Sequence, residues 1–426
     1  MQSFGPKRNA GSLLLPGVIV NVTACVAIWT FVLWTPATGA AGQHFSLTDL
    51  ITPRDALLVT AADGQDLFKE NAEQKCVPAS TLKILTALSA FHYLGPSFRF
   101  RTDSYLTPHG HLKIKAFGDP LLISEVWHDI ADMLAERITS FGDLILDTSF
   151  FAPGIQIPGV ESTTHPYDAV NGALGANFNT VYFKSDRRGR LVSAEPQTPL
   201  VPYARRKIRA LHLSSGRYML FRNGDEAARY AGELLLNLLQ KHGVKFTGRI
   251  RAKTVDPRDR LILRYRSRFN LQEVVGMLMA SSNNFIANQI LLASGANLFG
   301  PPATLGKGVQ AVADYCRLTL GLPDIQVVEG SGISRLNRLS AREMTTILKA
   351  FEPYRNLLKK DGPLLYKSGT LRGIRTRVGY IERESGRPLY FVVFLNRSNS
   401  DIYLAMDLLK TFQEQIGSLP FLVQAN

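Results

Sequence analysis

A chain of 426 residues exceeds the ~250–300 at which a single hydrophobic core stops growing, so two or three domains are expected. Hydrophobic residues make up 45% and charged residues 20%, which excludes a disordered chain, a coiled coil and a many-spanning membrane protein. Lys and Arg number 49 against 35 Asp and Glu, and the excess of +14 suits nucleic acid, an acidic membrane surface or another anionic polymer.

The chain begins with a short basic stretch, Lys7 and Arg8, followed by an apolar run from Leu13 to Trp34 without Asp, Glu, Lys, Arg or His. Small residues follow at Ala37-Thr38-Gly39-Ala40-Ala41. That order is the order of a secretory signal. The run is longer than the usual ~7–15 residues of a cleaved signal and matches the ~20 that span a bilayer. Residues 1–42 are therefore expected to be a signal peptide or an N-terminal membrane anchor. Either one exports the rest of the chain to a periplasmic or extracytoplasmic space, and membrane contact through this segment is expected if it is retained. Export also argues against nucleic acid as the partner. It would leave Cys76 and Cys316 in an oxidising space, where a bridge between them is open. With only three cysteines, a disulfide scaffold and a cysteine-rich zinc site are excluded.

Leu57-Leu58-Val59-Thr60, the turn Ala62-Asp63-Gly64 and Leu67-Phe68-Lys69 read as a hairpin. A helix follows from Ser80 to Tyr93, with Leu82, Leu85, Leu88 and Phe91 on one stripe and Gly95-Pro96 as its stop. Residues 98–260 change texture, with short alternating runs such as His111–Lys115 and helical patterns only at Ile130–Ile138 and Ala227–Leu239. They read as a mainly β inserted domain. Asn270 is the expected cap of a helix over Leu271–Ala280, and a second helix is expected over Phe285–Leu292. Three strands are expected at Leu364–Lys367, Thr376–Glu382 and Leu389–Leu395, then a final helix from near Ser400. The sum is an α+β chain, with one antiparallel sheet of two early and three late strands divided between residues 43–97 and 261–426.

Three short motifs lie on these elements. Ser80-Thr81-Leu82-Lys83 opens the first helix, where residues three apart share a face, so Lys83 can take the proton of the Ser80 hydroxyl. The positive end of that helix disfavours a charge on Lys83 and can bind a developing oxyanion. Ser282-Asn283-Asn284 sits between two helices, with Ser282 placed to relay a proton and Asn284 to offer its amide. Lys367-Ser368-Gly369-Thr370 ends a strand, where Lys367 supplies positive charge and Gly369 lets a substrate backbone approach. Singly, each reads as a cap or a solvated charge. Their order and context together are far more specific.

On these residues the chain resembles the penicillin-recognising serine enzymes. Its flanks resemble the serine D-alanyl-D-alanine carboxypeptidase/endopeptidase branch of low-molecular-mass penicillin-binding proteins. The similar segments are Val77–Ile84, Gly118-Asp119-Pro120, Gly142–Asp147, Asn171–Asn179, Gly330–Arg335 and Lys367–Gly373. Ser368 stands where that branch more often has Thr, and Glu329 where it usually has Asp. The resemblance implies a beta-lactamase/transpeptidase-like domain with a five-stranded antiparallel sheet, interrupted by the insertion.

It also implies a Ser80 acyl-enzyme acting on peptidoglycan stem peptides and trapped by beta-lactam antibiotics. Catalytic roles fall to Ser80, Lys83, Ser282, Asn284 and Lys367, and substrate binding to Ser368, Gly369 and Thr370. The backbone N–H groups of Ser80 and Thr370 would form the oxyanion hole. No Glu-x-x-Leu-Asn segment follows Ser282, so a long-lived penicilloyl enzyme is expected rather than rapid hydrolysis. No cofactor or metal is expected: phosphate loops and cysteine pairs are lacking, and His109-Gly110-His111 reads as a surface turn. Two rival readings stay open, a catalytically inactive peptidoglycan-binding homologue and a beta-lactamase or esterase. The clusters Arg205-Arg206-Lys207 and Arg264-Tyr265-Arg266-Ser267-Arg268 read as solvated faces.

Overall fold

Leu57 and Val59 face one side of the first strand and Leu58 the other, and all three are fully buried. A strand apolar on both faces needs a layer on each side. In the computed structural model, which describes residues 47, 50–384, 386–398 and 400–418, helices supply both layers. The segment expected to direct export lies outside the described residues. No helix among them is long and apolar enough to cross a membrane.

In chain order, β1 (Ala56–Thr60) and β2 (Asp66–Glu70) form the expected hairpin, and a 3-10 turn over Ala79–Leu82 leads into α1 (Lys83–Leu94). There follow β3 (Arg99–Leu106), β4 (Leu112–Ala116), α2 (Ser124–Ala135), β5 (Ser140–Phe141) and β6 (Leu144–Asp147). Next come β7 (Thr180–Ser185), β8 (Leu191–Ser193), α3 (Pro202–Ala210), β9 (Gly216–Met219) and α4 (Gly224–Lys241). Then β10 (Lys245–Phe246), β11 (Ile250–Ala252) and β12 (Arg260–Asn270) lead to α5 (Leu271–Ser281), α6 (Asn284–Phe299), α7 (Leu305–Tyr315) and α8 (Ala341–Phe351). The described chain ends with β13 (Lys359–Asp361), β14 (Leu364–Leu371), β15 (Ile374–Ile381), β16 (Leu389–Leu395) and α9 (Ile402–Ser418).

The first sheet runs β13-β14-β15-β16-β1-β2, antiparallel throughout. It has six strands rather than five, because Lys359–Asp361 pairs with the start of β14. That strand carries Lys-Lys-Asp and no apolar alternation, so the sequence pattern does not mark it. Leu58, Val378, Val392 and Phe394 pack on one face with Leu85 and Leu88 of α1 and Leu348 of α8. On the other, Leu57, Val59, Phe391 and Val393 pack against Ile402, Ala405 and Leu409 of α9.

A second sheet, β11-β6-β4-β3-β12, has its own apolar layer. Leu112, Ile114 and Tyr265 on its strands meet Trp127 and Ile130 of α2 and Leu234 and Leu238 of α4. Pairing of β12 with β3 extends this sheet to Asn270, beyond the expected boundary at residue 260. Its alternation, Arg264-Tyr265-Arg266-Ser267, turns Tyr265 and Ser267 inward and leaves the arginines exposed. A third, small sheet runs β8-β7-β9. The insertion is mixed rather than mainly β, because α2, α3 and α4 pack among its strands. Helix α3 escapes the sequence pattern because its buried face is only Tyr203, Ala204 and Ile208 amid arginines.

Two further differences concern packing. Helix α6 continues to Phe299, past the Leu292 expected, and Gly295 in the added stretch lets α7 approach. A Cβ there would stand 2.5 Å from Gly308 N. Cys76 and Cys316 are both free and buried, so the bridge left open by the sequence is not formed. The His109–His111 segment is a turn, with His111 Nδ1 accepting the Asp143 N–H at 2.9 Å.

Candidate active site

The turn that carries Ser80 is strained and clamped. Ala79, immediately before it, sits at φ 50°, a left-handed conformation that costs a non-glycine residue about 1–2 kcal/mol. Surrounding contacts hold it there. Thr376 Oγ1 and Thr81 Oγ1 both donate to Pro78 O, at 2.8 and 2.7 Å. Two glycines let other segments touch this backbone: a Cβ on Gly332 would lie 1.8 Å from Ala79 O, and one on Gly369 would lie 2.9 Å from Ser80 N. The loop after α7 and strand β14 therefore close on Ser80 from different segments of the chain.

Lys83 is the first residue of α1 and is completely buried. Its Nζ lies 2.9 Å from Ser80 Oγ, 2.8 Å from Asn284 Oδ1 and 2.6 Å from Ser331 O. Burial pulls its pKa down to about 7, helped by the positive charge of Lys367 and opposed by Glu329. At neutral pH much of this amine is uncharged, and its lone pair can then accept the Ser80 proton.

Ser282 caps the C-terminus of α5 at φ 53°, again left-handed. The sharp turn lets Asn283 cap α6 by accepting the Ile286 N–H at 3.1 Å. It also brings Ser282 Oγ within 2.8 Å of Lys367 Nζ and leaves Asn284 on Lys83. Lys367 is nearly buried on β14, and desolvation, then the charge of Arg377, lowers its pKa to about 8. Ser368 is half-buried, Gly369 buried and Thr370 exposed beyond them on the same strand. All eight residues singled out in the sequence thus lie on segments that converge at the Ser80 turn.

Sequence reasoning left Glu329 without a role. The carboxylate is fully buried and accepts from the backbone N–H groups of Ser331 at 2.6 Å, Gly332 at 2.7 Å and Ser334 at 3.3 Å. It also accepts from Ser331 Oγ, Asn337 Nδ2 and Asn288 Nδ2. Those bonds shape the loop that presents Ser331 O to Lys83. Asn288 completes the link by accepting the Gly330 N–H at 2.8 Å from one turn beyond Asn284. A second contribution missed in sequence is Tyr167, a residue of the insertion. Its carbonyl accepts from Asn284 Nδ2 at 3.3 Å, and its ring, 53% exposed, stacks on His165. The Gly-Ser-Gly run beside Asn337 was the visible signal for the loop; nothing marked Tyr167.

The family model of D-Ala-D-Ala carboxypeptidase 3 (S13) matches residues 49–215 and 211–359. The D-alanyl-D-alanine carboxypeptidase DacB of Haemophilus influenzae is 22% identical over 396 residues, 76% of this chain and 81% of that protein. The crystal structure of penicillin binding protein 4 (dacB) from Haemophilus influenzae is similar with a TM-score of 0.70 at 19% identity, over 87% of this chain and 98% of that one. Bd3459, a predatory peptidoglycan endopeptidase from Bdellovibrio bacteriovorus, is similar with a TM-score of 0.50 at 17% identity, over 87% and 95% of the two chains. At such identities the structural likeness is one of fold.

Proposed function

The chain belongs to the D-Ala-D-Ala carboxypeptidase 3 (S13) family, and on that premise we propose that it cleaves D-Ala-D-Ala stem peptides of peptidoglycan through a Ser80 acyl-enzyme. The observation that carries this reading is the buried Lys83 amine, 2.9 Å from Ser80 Oγ with its pKa drawn down to about 7.

Neutral Lys83 accepts the Ser80 proton as Oγ attacks the carbonyl carbon of the scissile amide. Backbone N–H groups of Ser80 and Thr370 bind the oxyanion, each donor worth about 3–4 kcal/mol. The C–N bond breaks as Ser282 gives its proton to the leaving amine and regains one from Lys367. Asn284 holds the peptide amide, and Ser368 or Thr370 receives the terminal carboxylate. Water then attacks the ester carbonyl and gives one proton through Ser282 back to Lys367; as the ester C–O bond breaks, Lys83 returns its proton to Ser80. A D-alanine leaving group makes the reaction a carboxypeptidase step; a cross-linking diamino acid makes it an endopeptidase step.

Penicillin would acylate the same serine. Glu329, the carboxylate whose charge reaches Lys83, is occupied by six hydrogen bonds to protein groups and is not free to activate a deacylating water. A persistent acyl-enzyme is the expected outcome, and it would separate this reading from a beta-lactamase. The convergence of all three motifs speaks against an inactive homologue. Action on peptidoglycan places the protein outside the cytoplasm, in keeping with residues 1–42 as an export signal or anchor. Incubation with purified muropeptides, products identified by mass, tests the reading. Free D-alanine or cleaved cross-links are expected, and neither should form with Ser80→Ala; no product from the wild-type chain would refute it.

A further inference from the structure

Half of the charge excess is concentrated in one lobe. Residues 184–229 carry eleven Lys and Arg against four Asp and Glu, which is +7 of the chain's +14. The fold gathers them. Asp186 Oδ1 accepts the backbone N–H groups of Arg188 and Arg190, each at 2.9 Å, and so shapes the turn between β7 and β8. Arg205 of α3 reaches back to that hairpin, donating to Leu191 O and, at 3.0 Å, to Leu200 O. Hairpin and helix end then share a cavity of about 690 Å³ lined by Arg190, Arg205, Arg209 and His212 over Leu191 and Ile208.

Several of these charges are left over after internal pairing. Arg190, Lys207 and Arg217 have acidic partners in Asp186, Glu226 and Glu195. Lys184, Arg187, Arg188, Arg209 and Arg222 are exposed and have none among the described residues. An apolar group projects beside them: Leu211, 41% exposed, follows Arg209. Unpaired arginines concentrate anions at a surface. Exposed apolar side chains among them gain only where the anionic surface also offers an apolar phase.

We propose that this lobe, residues 184–229, docks the protein on an anionic phospholipid bilayer, its arginines on lipid phosphates and Leu211 among the headgroups. A wall polymer would satisfy the arginines but offers Leu211 no apolar phase. Where the apolar run Leu13–Trp34 is retained, it adds a membrane signal of a different kind, and two such signals together hold a protein more firmly than one. The proposal does not depend on the peptidase reading.

Flotation of the full-length chain with vesicles tests it. Equimolar phosphatidylglycerol and phosphatidylcholine vesicles are compared with phosphatidylcholine alone, at low and high salt. The wild type should favour the anionic vesicles at least tenfold, and high salt should abolish the preference. Arg187→Glu/Arg188→Glu/Arg209→Glu should lower that preference at least tenfold and leave binding to neutral vesicles unchanged. The Arg→Lys triple should keep the preference, and unchanged circular dichroism spectra of both variants would show that they are folded. An undiminished preference in the Glu triple would overturn the proposal. So would a loss confined to binding of isolated peptidoglycan sacculi, which would assign the surface to wall polymer.

Discussion

Lys83 and Asn284 stand 201 positions apart, yet Lys83 Nζ donates to Asn284 Oδ1 at 2.8 Å. This bond joins the first helix to the start of α6, at the amine beside Ser80. Asn284→Asp would place a carboxylate on Lys83 and favour its ammonium form, raising its pKa. Activity at pH 7 should fall about 10–100-fold and recover in part at higher pH. A pH–rate profile of the variant checks this; a uniform loss at every pH would speak for steric damage instead.

The two lysines give the wild-type enzyme opposite requirements. Lys83 must be neutral to act as base, so kcat/KM should rise through about pH 7. Lys367 must keep its proton to supply Ser282, so kcat/KM should fall above about pH 8. A bell with its maximum between these limbs is expected. A profile flat from pH 6 to 9 would contradict both roles.

Glu329→Gln tests the loop that had no assigned role in the sequence. The substitution removes a buried charge that serves six donors, and should cost about 3–5 kcal/mol in denaturant unfolding. It has a second readout. Glu329 raises the Lys83 pKa, so its removal should move the acid limb of the activity profile to lower pH. A purely structural role would lower stability and leave that limb in place.

Gly369→Ala probes the contact between β14 and the nucleophile turn. The new Cβ would meet Thr376 Oγ1 at 2.2 Å and Ser80 N at 2.9 Å. Thr376 is buried and tied to Pro78 O, so relief must come from the strand moving away from Ser80. A displacement of that kind should cost at least ~10²-fold in kcat/KM. Steady-state hydrolysis of a D-Ala-D-Ala peptide measures it.

What was legible in the sequence was local or periodic. The Leu82–Phe91 stripe announced α1, Asn270 announced the cap of α5, and the three motifs marked segments that meet at Ser80. Contacts made across the chain were not. Ser331 O on Lys83, Tyr167 O on Asn284 and the glycine contacts at Ala79 and Ser80 depend on segments that meet only in the fold. Helix α3 and strand β13 were missed for a different reason: each buries too few side chains to leave a period. The arginines of β12 lie at every second position, so an apparent basic cluster was the outer face of a strand.

The proposed reaction requires that Ser80 be the residue that becomes acylated. Intact mass and peptide mapping after exposure to a penicillin test it most directly. One penicilloyl group on the peptide containing Ser80, stable over hours and absent from Ser80→Ala, is the predicted result. An adduct on another residue, or undiminished labelling of Ser80→Ala, would contradict it.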